Sequence, residues 1–261
     1  MPMLFNKTPV AVELFPLIDR HGRNVATIVS KATYVIADGV PQLVTPPRPL
    51  YFKDEFESTS RGAMMRLASD LTDYKPATDI LVARPPGDLQ QYASTGRRLR
   101  VQIGAFELSG NMADPWPFGP VARDEAPRKQ LAGTYDDAWV ADRMPLLPID
   151  FDYRFNQTAP PQQIVSPYLR GDELMQLSGF TAKSGSLETR LPGRLVLIAA
   201  NASGRYLTQP AVLDTLVVHI QPLMLEIVWR LSIPTRRSIE EVRYVFVYYP
   251  TLRSYNEVYG D

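Results

Sequence analysis

The chain has 261 residues, 28 basic and 28 acidic, with no cysteine and 24 prolines against 15 glycines. Zero net charge without a basic block argues against a nucleic-acid or anionic-membrane partner, and a chain without cysteine can form neither disulfides nor zinc–thiolate sites. No run approaches the ~18–20 apolar residues of a spanning helix, and the N-terminal MPMLFNKTPVAVELF lacks a charged start followed by an apolar stretch. A soluble and most simply cytoplasmic protein is therefore expected.

Period-two patterning dominates in chain order. DRHGRN (19–24) reads as a hairpin turn leading into ATIVSKATYVI (26–36), a β-branched run. RGAMMRLASDL (61–71) is a candidate short helix. In RRLRVQI (97–103), Leu99, Val101 and Ile103 alternate with Arg98, Arg100 and Gln102, as in a strand with one buried face. TYDDAWVADRM (134–144) predicts a helix opened by Thr134 and stopped at Pro145, with Trp139 and Arg143 one turn apart. TRLPGRLVLIA, TLVVHI and VRYVFVYY are further strands, and Ser238 followed by Glu241 predicts a single capped turn. LMLEIVWRLSI (223–233) is apolar at every odd position and carries Glu226, Arg230 and Ser232 between them, which predicts one buried and one wet face. TLVVHI is its expected hairpin partner.

The fold class expected is mainly β: antiparallel strands in a sandwich-like arrangement with one or two short helices. One domain over 1–261 is expected, with a strand set in 1–108, an irregular crossover over 109–175 and a second strand set in 176–261. So long an irregular stretch is uncommon in a compact protein and is usually functional or disordered. Its many aromatics, among them Trp116, Phe118, Trp139, Phe151, Tyr153 and Phe155, predict order.

Catalytic signatures are weak. Asp150, Asp152, Asp172 and Glu173 gather acid in the crossover, but D-x-D does not complete a calcium loop, so turn and cap chemistry is favoured over metal binding. His21 and His219 lack adjacent motifs and read as structural. KSGSLE (183–188) is a turn rather than a nucleophile elbow, and no phosphate-cradling glycine loop occurs. A pair of carboxylates suited to glycoside hydrolysis needs only spatial separation, so a hydrolase centred on the four acids stays open. No cofactor and no metal is expected.

FGP (118–120), PR (127–128), GTYDDAW (133–139), LLPIDFDYRF (146–155), APPQQ (159–163) and YLRGDE (168–173) occur in that order. DYKPATDILV (73–82) precedes them, and LDTLVVHI with IVWR follows. Together they resemble a bacterial family known as a domain of unknown function and found beside type VI secretion genes. Family members carry a longer glycine-rich insert before FGP, where this chain has ELSGNMADPWP. The resemblance implies an adaptor or chaperone, not an enzyme. Its expected partners are a secreted effector, or the spike-tip domain fused to it, and the secretion spike; no catalytic residue comes with it. Aromatic and Arg side chains dominate binding hot spots, so Tyr153, Arg154, Tyr168, Arg170 and Trp116 are the candidate partner surface. Phe151 and Phe155 are expected to pack inward. The rival readings are the carboxylate hydrolase and a carbohydrate-binding sandwich, which would expose coplanar aromatics on one sheet face or rim.

Overall fold

The computed structural model describes residues 2–59, 62–84, 98–111, 117–180, 185–193, 196–202 and 204–249. Strands dominate, as the alternation predicts, and the fold is mainly β. The central sheet has the order β10–β7–β15–β16–β3–β2. These strands are β2 (Ala11–Ile18), β3 (Asn24–Ala37), β7 (Thr78–Ala83), β10 (Ile164–Val165), β15 (Val212–His219) and β16 (Met224–Pro234). A short β4 (Val40–Leu43) also pairs with β3. All pairings are antiparallel except β7 with β15.

Two four-stranded sheets complete the sandwich. One has the order β12–β11–β8–β9, from β8 (Arg98–Ile103), β9 (Phe106–Asn111), β11 (Leu174–Ser178) and β12 (Ser186–Arg190). The other is β1–β17–β13–β14, from β1 (Met3–Asn6), β13 (Leu197–Ala202), β14 (Arg205–Pro210) and β17 (Val242–Tyr248). Each of these three sheets draws strands from both sides of the 109–175 segment. Strands far apart in sequence are thus interleaved.

One face of the central sheet is apolar. Ala26, Ile28, Ala32, Ile80, Leu216, Val218, Leu225, Ile227 and Trp229 share one core with Leu99, Val101, Ile103, Met175 and Leu177 of the second sheet and Ile198, Val245 and Val247 of the third. Each Val, Leu, Ile or Met among them contributes about 1.5–3 kcal/mol by leaving water. In β8 the expected alternation holds: Leu99, Val101 and Ile103 are buried while Arg98 and Arg100 are exposed.

Three expectations are corrected. Gly62–Leu67 is a strand, β6, paired with β5 (Glu55–Thr59), not the helix expected over 61–71. Met65 and Leu67 are buried while Met64 and Arg66, before and between them, are only partly so, and the period is two. Cross-strand pairing here overrides helix propensity. The short helix Asp137–Asp142 is capped by Asp136, whose Oδ1 accepts from Trp139 N (2.9 Å), rather than by Thr134. The second face of β16 is not wet: Glu226 and Arg230 are as buried as the apolar residues between them. Ser238 does cap the 3-10 turn Ile239–Glu241, accepting from Glu240 N.

The polar second face explains why 117–175 is ordered. Lys75 Nζ lies 2.8 Å from both Asp79 Oδ2 and Thr215 Oγ1, all buried. Asp79 Oδ2 also accepts from the Thr158 amide (2.8 Å) and hydroxyl (3.1 Å). Gln163, fully buried, donates from Nε2 to Ile80 O (2.8 Å) and Phe118 O (3.0 Å). Arg230 binds the Asp214 carboxylate and donates to Asp70 O and Thr72 O. A buried charge or donor is costly unless partnered, and on this face the segments laid over the sheet supply the partners.

Candidate functional site

The segments over the polar face present two linked surface features. The first is a groove of about 410 Å³ between the helix Asp137–Asp142 and the turn at Pro148–Asp150. Its shape is fixed from several directions. Trp139 Nε1 donates to Leu146 O (2.8 Å) and stacks edge-on with Tyr135, ring centroids 4.7 Å apart. Arg143 donates from Nε and Nη2 to Leu147 O and from Nη2 to Arg20 O (2.6 Å), tying the groove to the β2–β3 hairpin turn. Asp150 accepts from the Thr134 amide (3.0 Å) and hydroxyl (2.8 Å). Gly133, at φ +83°, lets the backbone pass where a Cβ would sit 2.8 Å from Pro148. On this rigid base four large apolar side chains face solvent: Ile149 is 77% exposed, Met144 62%, Val140 54% and Tyr135 53%. Clustered exposure of this kind marks interaction sites, whereas scattered exposure is ordinary.

The second feature is a row of tyrosines. Arg20 donates from Nη1 to Phe151 O and lies over the Tyr153 ring, 5.2 Å from its centroid. Tyr153 meets Tyr74 edge-to-face at 5.4 Å. Burial, then the neighbouring Tyr74 hydroxyl, raises the Tyr168 phenol above its ordinary range, and its hydroxyl donates to Lys75 O. Arg20 therefore joins the groove to a Tyr153–Tyr74–Tyr168 strip.

The sequence-derived candidates fall unevenly on this surface. Tyr153 and Tyr168 are half-buried and take part in packing; Arg154 is exposed and its guanidinium is held by Asp152 (2.6 Å). Arg170 is exposed and lines a cleft of about 190 Å³ with Tyr168, Pro210 and Trp229. Trp116 lies outside the described residues. Phe151 is buried and Phe155 half-buried, as expected. Tyr135, Val140, Met144, Ile149 and Tyr74 were not singled out from sequence. The first four show in the sequence only as apolar residues set among the acids of 134–150, and Tyr74 only as part of DYKPATDILV.

The acids act as clamps. Asp152 Oδ1 accepts from Arg154 N (2.8 Å), and the Glu173 carboxylate accepts from the Arg170 and Gly171 amides. Hydrogen bonds from Thr134 lower the Asp150 pKa, and the Arg154 side chain does the same for Asp152. A general acid needs the opposite, a raised pKa. Among the described residues no group of three or more histidines or carboxylates is placed to hold a metal ion. His21 sits in the exposed hairpin turn, its amide donating to Asp19 Oδ1. His219 is buried, with Nε2 3.2 Å from Glu226 Oε1.

The buried Lys31, Asp70, Lys75 and Glu226, with the half-buried Tyr51, surround a cavity with about 20 Å³ of free space, room for about one or two ordered waters and no substrate. The outer face of β1–β17–β13–β14 exposes aromatics, with Tyr206 82% exposed. There Phe5 and Phe246 stack face to face, centroids 4.7 Å apart and 12° between planes. Trp229 is buried and Trp139 half-buried.

A family model described as an uncharacterized protein conserved in bacteria (DUF2169) matches residues 103–230, slightly less than half of the chain. That span contains the groove, Tyr153, Tyr168, the polar-face strand β15 and β16 as far as Arg230. No curated protein and no solved structure gives a significant match. Among the described residues no helix is long and apolar enough to cross a membrane.

Proposed function

We propose that this protein is a non-catalytic adaptor, acting in the bacterial cytoplasm, that binds a type VI secretion effector or its fused spike-tip domain and helps to load it onto the spike. One observation carries the binding reading: an exposed apolar cluster, Tyr135, Val140, Met144 and Ile149, stands on a groove locked by Trp139, Arg143, Asp150 and Gly133. A rigid surface loses little conformational freedom on association, and aromatic anchors at its edge suit hot-spot contacts. The type VI assignment is supported by the ordered motifs of the central segment, of which GTYDDAW and LLPIDFDYRF form the two walls of the groove. The hydrolase reading is disfavoured because Asp150 and Asp152 are held ionised by local partners. The carbohydrate reading is less well supported, because Trp229 is buried and Trp139 is half-buried against Tyr135.

Co-expression with the effector encoded beside it tests the proposal. Stable co-purification is expected, with hydrogen-exchange protection appearing over 134–154. An effector that neither co-purifies nor alters exchange would rule the adaptor role out.

A further inference from the structure

We propose that the Trp139–Ile149 groove docks a partner segment bearing an apolar anchor flanked by lysine or arginine, an inference that rests on the adaptor reading and specifies what the adaptor recognises. The apolar half of the argument is the floor: Trp139, Pro148 and Ile149 line a fixed concavity, with Met144 and Val140 exposed beside it. The charged half is the rim. Asp136, Asp142 and Asp150 line the groove, and Asp137 stands on the same helix, exposed. Against them the lining holds one cation, Arg143, whose Nε and Nη2 donate to the Leu147 and Arg20 carbonyls. No ion pair among the described residues engages any of these four acids. The chain as a whole has no net charge, so this negative rim is local. It neutralises nothing within the chain and is complementary to cations from outside.

The same rim selects among occupants. Anionic lipid and nucleic acid are repelled. A second copy meeting this face across a two-fold axis would set the acids against one another. A cationic, apolar protein segment is attracted by the rim and buries its anchor on the floor, which is the helix-in-groove or extended-peptide mode of recognition.

Fluorescence anisotropy with the full chain tests this. The probes are labelled peptides of about twelve residues: an Ile-Leu-Trp centre flanked by lysines and arginines, the same centre flanked by glutamates, and the lysine/arginine flanks around a serine centre. The basic–apolar peptide is expected to bind at least ~10-fold tighter than either control, with affinity falling as salt rises. Ile149→Ser with Met144→Ser, and separately Asp137→Asn with Asp142→Asn, should each weaken it several-fold while the melting temperature stays unchanged. Asp136 and Asp150 are left intact because they clamp backbone. Equal binding of the three peptides, or no effect of either double variant, would overturn the inference. So would a wild-type dimer dispersed by the Ile149/Met144 variant in sedimentation, which would give the groove to a second copy. The two readings separate in co-purification with the neighbouring effector. Retention by wild type and both variants keeps the adaptor and removes this groove. The peptide preference without retention by wild type keeps the groove's chemistry and removes the adaptor.

Discussion

Lys31 on β3 and Glu226 on β16 are diagonal neighbours on adjacent strands, with Nζ 3.1 Å from Oε2 and side chains 1% and 0% exposed. The pair lies at the centre of the sheet face that the sequence alternation marks as wet. Around it, Tyr51 Oη donates to Glu226 Oε1 (3.0 Å), Arg48 Nη1 donates to the same oxygen (3.1 Å), and Lys31 Nζ reaches Asp70 Oδ2 (3.2 Å) while capping the Tyr51 ring. Isolated, either charge would be expensive to bury. Arg48, Tyr51 and Asp70, which cover this face, are therefore bound to the sheet by charges as well as by apolar contact.

Replacing Glu226 with Gln leaves Lys31 with Asp70 alone. Breaking a buried pair on one side costs roughly 3 kcal/mol or more, and urea unfolding should show a loss of that order. The effect has a pH signature. Burial alone would raise the Glu226 carboxyl, but His219 and Lys31 outweigh it and hold it well below the ordinary glutamate range. A lowered carboxyl gives stability that is complete above its unfolded value of about 4.3 and is lost as pH falls towards its folded value. The stability gap between wild type and Glu226→Gln should thus be constant near neutrality and shrink below about pH 4. A gap independent of pH in the acid range would contradict this assignment.

Asp79→Ala removes the shared acceptor of Lys75, Thr158 and Gln157. The variant should lose about 3–5 kcal/mol for the unpaired lysine. Amide exchange at 157–163 should rise before exchange in β15 and β16 does. Uniform deprotection of the whole chain would mean that Asp79 does not specifically anchor this segment.

Arg128 is a buried cation without a carboxylate. Its guanidinium donates to Phe155 O from Nε (3.0 Å) and Nη2 (2.8 Å) and to Val121 O from Nη1 (2.8 Å). Burial, with Arg123 nearby, pushes it down to about 10, still charged at neutral pH. Arg128→Met should cost about 2–4 kcal/mol, because two carbonyls lose their donors. Arg154→Ala, whose exposed side chain is paired among the described residues with the neighbouring Asp152 alone, should stay within about 0.5 kcal/mol. Thermal unfolding of both variants checks the contrast.

Tyr153 is a packing residue as well as a surface one, edge-on to Tyr74 and Phe151. Tyr153→Ala should cost about 1–3 kcal/mol. Tyr153→Phe should be nearly neutral, since the hydroxyl receives only a long bond from Arg20 N (3.4 Å). Binding defects of the alanine variant therefore need the phenylalanine variant as a companion, with stability measured for each.

Strand alternation was legible wherever one face meets water, as in β8, and the β15–β16 hairpin followed from two adjacent apolar runs. The polar face of β16 was not legible, because alternation marks residue type and not what covers it. Glu226 and Arg230 look solvated until Lys31, Arg48, Asp70 and Asp214 are brought from elsewhere in the chain. Gly62–Leu67 was misread because its short alternation is masked by Ala, Met and Leu, all good helix formers. The clamping role of Asp150 and Asp152 was legible from turn chemistry. The exposed cluster was not: Ile149 and Met144 are residue types that are usually buried, and only the bend that folds 145–150 back against the helix Asp137–Asp142 leaves them in solvent.

A docking surface on the 117–173 segment requires that segment to be folded against the sheet before any partner arrives. Hydrogen exchange of the isolated protein tests that directly. We predict that the amides of Phe155, Gln157, Thr158 and Gln163, which donate to Asp152 O, Arg154 O, Asp79 and Pro160 O, are protected on the timescale of the central strands. Exchange of these amides at the rate of an unstructured peptide would contradict it.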